Sequence, residues 1–254
     1  MSTAGDRIDE LDRHFEEALH HVDLGPVKID GRLVDLAVHQ LIYVEGDAAD
    51  FFFQVEAGCA CTFRCDHYGR RGIQAFHLRN DVFGLEAGVR HQWSAEALSP
   101  CRLVRCDRRR LVGLMDSEPA AAAGLWTWLL SRQEEASLRL TSLAHADGAV
   151  RLMSFLIDLA ARCGRDSGIE LQMSRDDIAD YLGLSSETVS RIFTRLRREG
   201  VITVEGRHVA WPGNRPPSET VRGDFELHPD FHSAAVTVRT PRASAANPDR
   251  SAAD

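Results

Sequence analysis

The chain of 254 residues is 44% hydrophobic with a formal charge of -8 at pH 7, enough for one large or two modest domains, each able to bury its own core. The acidity excludes indiscriminate binding to nucleic acid, which needs a broad basic surface over the phosphates, so any contact with DNA must be local. No apolar run approaches the roughly 20 residues that span a bilayer, and the start MSTAGDRIDELDRHFEEALHHV lacks a basic or apolar export segment; a cytoplasmic protein with no membrane partner is expected.

Within an N-terminal segment of residues 1–25, Ile8, Leu11, Phe15 and Leu19 recur at helical spacing and predict a short amphipathic helix over 7–22. Residues 26–116 follow, where from about Val27 to Arg108 short apolar runs are cut by EGD, EAG, DHYGRR and RND. These turn signals predict a small antiparallel sandwich or barrel.

Pro119 opens a long predicted helix within residues 117–146, with Leu125, Trp128, Leu129, Ala136, Leu140 and Leu143 as a broken apolar stripe. Such a helix either packs on its own chain or joins two subunits; Trp126 and Trp128, read as exposed, favour the subunit interface and hence a homodimer. A second, helical domain is predicted over 147–212, opening with the amphipathic stretch 149–163 and the turn-prone GRDSG. VITVEGRHVAW alternates about Glu205-Gly206 as a hairpin does. Beyond Pro212 the composition of residues 213–254 is that of a disordered tail, with one weak strand signal at AAVTV.

The six cysteines lack the density of a secreted scaffold, so reduced thiols are expected. Cys59, Cys61 and Cys65 share strand parity with Phe63 and read as small apolar core residues rather than, with His67, a metal site. Cys101 and Cys106 have opposite parity, so at most one faces that same interior. Cys163, flanked by Arg162 and Arg165, is the candidate redox residue beside the plainer reading of a spare thiol at a helix end. The eleven histidines show no metal-ligand spacing.

Residues 174–202, SRDDIADYLGLSSETVSRIFTRLRREGVI, carry the functional signal. Ser174 and Asp177 form a capping-box start, Gly183 ends the first helix, and Ser185 caps the second. Val189, Ile192, Phe193 and Leu196 lie at i, i+3, i+4 and i+7 and make one face apolar. Glu187, Ser190 and Arg191 occupy another face, suited to base edges: arginine forks onto guanine, carboxylate accepts from cytosine, and serine is versatile. Ser185, Arg195, Arg197 and Arg198 suit backbone phosphates. A helix-turn-helix reading double-stranded DNA is expected. Its concentrated arginines supply local affinity on an otherwise acidic chain.

On these residues the sequence resembles the CRP/FNR superfamily of regulators over roughly residues 25–212. EGDAADFFFQVEAG, DHYGRRGIQAF and NDVFGLEAG resemble its β-roll sensor domain, and the helix after Pro119 its dimerisation helix. The resemblance implies an α+β fold: an antiparallel β-roll similar to cyclic-nucleotide-binding domains, a long dimerisation helix and a C-terminal winged helix-turn-helix. E-T-V-S-R resembles the FNR and FixK branches, which implies that Glu187, Ser190 and Arg191 read TTGA-type half-sites of a palindrome, with RNA polymerase as a further partner. No cysteine precedes Cys59, so the N-terminal iron-sulfur ligands of FNR-type sensors have no counterpart, and no cluster is expected. Where cyclic-nucleotide binders carry Gly-Glu-Leu and Arg-Ser, this chain reads DVFGL and QWS, ending in Trp93 and Ser94, so cAMP is not expected either. The leading expectation is a FixK-like homodimeric transcription regulator without a cofactor. The alternative is a sensor of the same fold whose DNA binding depends on a ligand, haem or redox signal at the β-roll. An enzyme is not expected, since nucleophile elbow, phosphate loop, HExxH and Rossmann fingerprints are missing from the sequence.

Overall fold

The computed structural model describes residues 20–23, 28–145, 147–164 and 168–212. The first unit is a two-sheet antiparallel sandwich. Its nine strands are β1 (His20–Asp23), β2 (Lys28–Leu36), β3 (Leu41–Tyr43), β4 (Phe51–Ala57), β5 (Ala60–Cys65), β6 (Arg71–His77), β7 (Val82–Phe83), β8 (Ser94–Ala97) and β9 (Cys101–Asp107). They pair as a five-stranded sheet, β1-β2-β9-β4-β7, facing a four-stranded one, β3-β8-β5-β6.

Of the predicted N-terminal helix, residues 1–19 lie outside the described residues, but its end is strand. His20–Asp23 pairs antiparallel with Lys28–Gly31, and Val22 is fully buried beside Ile29 and Phe52. Apolar pairing across the sheet overrides the local helical spacing there.

The run Phe51-Phe52-Phe53 reads as continuous because both faces of β4 are covered. Phe53 and Val55 join Tyr43, Phe83 and Leu103 between the sheets, while Phe52 points the other way with Val104, Cys106 and Leu111. The same alternation separates Cys101, on the inner face, from Cys106, on the outer one, as their parity predicts; both are buried.

That outer face is closed by two helices. α1 (Arg108–Ser117), a helix not predicted from the sequence, begins where the predicted run of strands ends, directly after β9, and is capped by Asp107, whose side chain accepts from the Arg109 N–H. α2 (Pro119–His145) is the long helix expected. Its apolar stripe divides: Leu125 is buried and Trp128 half-buried against the sandwich, whereas Leu129 and Ala136 are exposed. Trp128 was expected to be exposed with Trp126, but packs inward; Leu140 and Leu143 lie outside the residues whose side chains are described. Trp126, Leu129 and Leu130, at i, i+3 and i+4, form a second face that stays exposed, Trp126 at 65%.

The second unit comprises α3 (Gly148–Cys163), β10 (Gly168–Glu170), α4 (Arg175–Leu182), α5 (Ser186–Arg198), β11 (Thr203–Glu205) and β12 (His208–Ala210). The hairpin about Gly206 forms as expected, and β10, which begins at the last residue of the turn-prone GRDSG, adds a third strand in the order β10-β12-β11. The tail, residues 213–254, including AAVTV, lies outside the described residues.

The two units do not keep separate cores. One continuous apolar cluster runs from Cys59, Cys61, Ile73, Phe76 and Leu98 of the sandwich into Leu152, Phe155, Ile178, Val189, Phe193 and Trp211. Cys59 and Cys61 are thus buried as predicted, but in a core shared with the helical unit, and burial pushes the Cys61 thiol up to about 12. Cys65 departs from the expectation and is exposed. β5 carries a register shift between Thr62 and Phe63 and then runs out toward the solvated turn at Asp66–Gly69, beyond the covered area.

Gly58 fixes the approach of β4 and β5 to β9. Its φ is +87°, and a Cβ there would meet the Pro100 carbonyl at 2.3 Å. Gly58→Ala should therefore lower the unfolding free energy by about 2 kcal/mol or more, measured by urea denaturation. A change within error would show that the turn can shift freely.

Candidate nucleic-acid interface

The motif of residues 174–198 is built by local chemistry. Ser174 Oγ accepts from the Asp177 N–H at 3.1 Å, and Asp177 Oδ2 accepts in return from the Ser174 N–H at 2.8 Å, closing a capping box at the start of α4. α4 stops at Gly183, whose φ of 63° is left-handed and whose N–H donates to the Ala179 carbonyl. Ser185 Oγ then accepts from the Thr188 N–H at 3.1 Å and caps α5. Ser186 donates to Asp176, tying the two helix starts together.

Packing fixes which side of α5 faces out. Val189, Phe193 and Leu196 are buried, and Ile192 packs partly buried against the same core. Arg151 donates from Nη1 to the Leu182 carbonyl at 2.8 Å, so α3 holds the end of α4. Arg175 lies over the Phe193 ring at 3.2 Å from its centroid, and burial lowers its pKa to about 10, leaving it charged at neutral pH.

On the outer side, Glu187 and Arg191 are 80% and 72% exposed and 3.9 Å apart, one turn from each other. With Ser190, Thr194, Arg195 and Arg198 they line a shallow depression of about 340 Å³ along the helix. Arg195 is half-exposed and 3.8 Å from Glu199; Arg197, Arg198 and Ser185 are at the surface. The structure thus brings Glu187, Ser190, Arg191, Arg195 and Arg198 onto one open face and leaves Ser185 at its N-terminal edge. Thr194 shares that face and was not singled out in the sequence, although it lies four residues after Ser190 and three after Arg191.

Cys163 is exposed at the end of α3. Its neighbour Arg162 points back to the sandwich, donating to the Phe76 carbonyl at 2.8 Å and pairing with Asp81; Arg165 lies outside the described residues. Within the sandwich, Tyr43 stacks on His91 at 3.6 Å and joins Phe53 and Phe83, and Arg90 donates to the Gly46 carbonyl at 2.6 Å.

A winged helix-turn-helix with an outward arginine-bearing second helix, joined by a long helix to an antiparallel sandwich, defines a DNA-binding transcription regulator. Sequence comparison agrees: a Crp-like helix-turn-helix domain matches residues 150–211, and a cyclic nucleotide-binding domain matches residues 33–118. The chain is 39% identical over 168 residues to the nitrogen fixation regulation protein FixK of Azorhizobium caulinodans, covering 64% of this chain and 68% of that one. It is 36% identical over 183 residues to FixK of Rhizobium meliloti, covering 71% and 83%. The solved structure of FixK2 from Bradyrhizobium japonicum superposes with a TM-score of 0.69 at 31% identity, over 72% of this chain and 93% of that one. A CRP-family regulator from Thermus thermophilus, at 22% identity and a TM-score of 0.59, shares the fold. The chain belongs to the CRP/FNR family of transcription regulators.

A Cβ on Gly183 would meet nothing within 4 Å, so its requirement is conformational alone. Gly183→Ala should cost about 1–2 kcal/mol in thermal or urea unfolding, and Gly183→Asn distinctly less. Equal stability of both variants with the parent would mean the turn adopts another geometry.

Proposed function

We propose that the protein binds a palindromic TTGA-type site as a homodimer, with Glu187, Ser190 and Arg191 reading bases and Ser185, Arg195, Arg197 and Arg198 holding phosphates. The observation that carries this reading is the division of α5 into a buried apolar side and an open side with exposed Glu187 and Arg191. Arginine and carboxylate one turn apart supply opposite hydrogen-bonding preferences to successive bases. The exposed face of Trp126, Leu129 and Leu130 on α2 supports self-association, because a helix face of that character in a monomer stays unfavourably hydrated. RNA polymerase is the further partner that family membership suggests, and the cytoplasm the matching compartment; among the described residues no helix is long and apolar enough to cross a membrane.

The regulator works in this reading without an iron-sulfur cluster or cAMP, and without catalysis. The stacked Tyr43, His91, Phe53 and Phe83 between the sheets favour a packed sandwich over an open ligand chamber. A second reading, in which an effector at the β-roll controls DNA binding, is favoured by the core shared between sandwich and reading unit. Cys163 is the thiol through which a redox signal would act.

Binding-site selection with the full chain should return an inverted repeat whose half-sites lie about one DNA turn apart. Arg191→Ala should then lose about 1–3 kcal/mol of discrimination between selected and scrambled sites. Arg197→Ala should weaken both alike and reduce the salt slope by about one. Equal losses from the two variants on both DNAs would refute the division of roles. Trp126→Glu should shift the protein toward monomer in sedimentation equilibrium and cost palindrome affinity with it; an unchanged dimer would place the interface elsewhere.

A further inference from the structure

We infer that Arg71, on β6 of the sandwich, is a positioning residue for DNA reading, because it clamps the start of α4 and thereby sets the angle at which α5 is held. This rests on the reading of the protein as a dimer on a palindrome.

Arg71 lies 106 residues from its partner in sequence, and its Nη1 donates to Asp177 Oδ1 at 2.8 Å. Its Nη2 pairs with Glu96 on β8 and reaches Cys61 Sγ at 3.1 Å, and the guanidinium rests 4.5 Å over the Phe63 ring. Asp177 is only 8% exposed at its side chain. It is also the carboxylate that closes the capping box of α4, so the group that starts the motif through Oδ2 is held by the other unit through Oδ1. A guanidinium forked between two carboxylates on different units fixes direction as well as distance.

Other contacts prevent rotation about that point. Arg162 of α3 pairs with Asp81 and donates to the Phe76 carbonyl, Ser99 donates to Gln172 at 3.0 Å, and Phe76, Phe155 and Tyr181 meet as a trio of rings 5.0 to 5.6 Å apart. The reading unit is joined covalently to α2 by the short passage from His145 to Gly148. A dimer whose two reading helices hang only from that passage could meet half-sites at several spacings; one whose units are clamped to their sandwiches could meet one. Simultaneous engagement of two half-sites depends on such geometry.

The test uses the full chain and palindromes with half-sites at the selected spacing, at one and two base pairs to either side, and as a lone half-site. Wild type should prefer its spacing over a two-base-pair change by about tenfold or more. Arg71→Met should reduce that preference to below about threefold while lone half-site affinity stays within about twofold, Arg71→Lys should restore part of it, and Arg162→Met should act in the same direction. Hydrogen exchange on DNA-free Arg71→Met should quicken at the amides of β6 and α4 and stay unchanged in β2 and β9, which separates release of the clamp from general unfolding. An Arg71→Met protein that keeps the wild-type spacing preference overturns the inference. So does equal loss on half-site and palindrome, which would make Arg71 a stability residue only. Wild type with no spacing optimum would overturn the dimer-on-palindrome reading and this inference with it, and is seen before any variant is compared.

Discussion

One carboxylate, that of Asp177, stands where three demands meet. The first turn of α4 needs an acceptor for the Ser174 N–H, the partly buried Arg71 guanidinium needs a countercharge, and the buried Asp177 carboxylate needs a cation beside it at the edge of the shared core. Satisfied together, these demands orient α4, and α4 in turn sets the seat on which Val189 and Phe193 hold α5. The outward direction of Arg191 is therefore the far end of a sequence of contacts that begins inside the protein. A buried charge adds little net stability, but it penalises every alternative arrangement that would leave it unpaired. That is how a polar contact can specify direction.

The charge distribution serves the same end. A chain of net charge -8 confines much of its useful cationic character to one side of α5 and its C-terminal end, where Arg191, Arg195, Arg197 and Arg198 lie within about two turns. Other arginines are engaged within the fold, as Arg71, Arg162 and Arg151 are. Clustering cations on one side of one helix concentrates positive potential there while the net charge of the chain stays negative.

Much of the motif was legible in the sequence because its determinants are short-range. Caps act over three residues, the left-handed glycine acts on its own backbone, and the apolar side of α5 repeats within two turns. The solvent-facing position of Glu187, Ser190 and Arg191 followed from subtraction of that apolar side. What could not be read is what depends on distant partners. The end of the predicted N-terminal helix became β1 because Val22 finds its burial across the sheet. The parity of Cys59, Cys61 and Cys65 was sound, but parity cannot say where a sheet stops being covered, and Cys65 lies past that limit. α1 was hidden by its opening Arg108-Arg109-Arg110, an unfavourable start for a helix, offset by the Asp107 cap and by Leu111 in the core. Arg71 looked like one more solvated turn residue because nothing within reach along the chain announces Asp177.

The apolar continuity between Cys61, Phe76 and Leu98 on one side and Phe155, Ile178 and Trp211 on the other bears on how such regulators diversify. A reading head whose underside completes its neighbour's interior is not a portable cassette. Grafted onto the sandwich of a relative, it would bring Asp177 and Tyr181 to a surface shaped for other side chains, and both would lose their counterparts. Residues on the outer side of α5 can therefore be exchanged without disturbing that seam, while change at the seam itself has to proceed in compensating pairs.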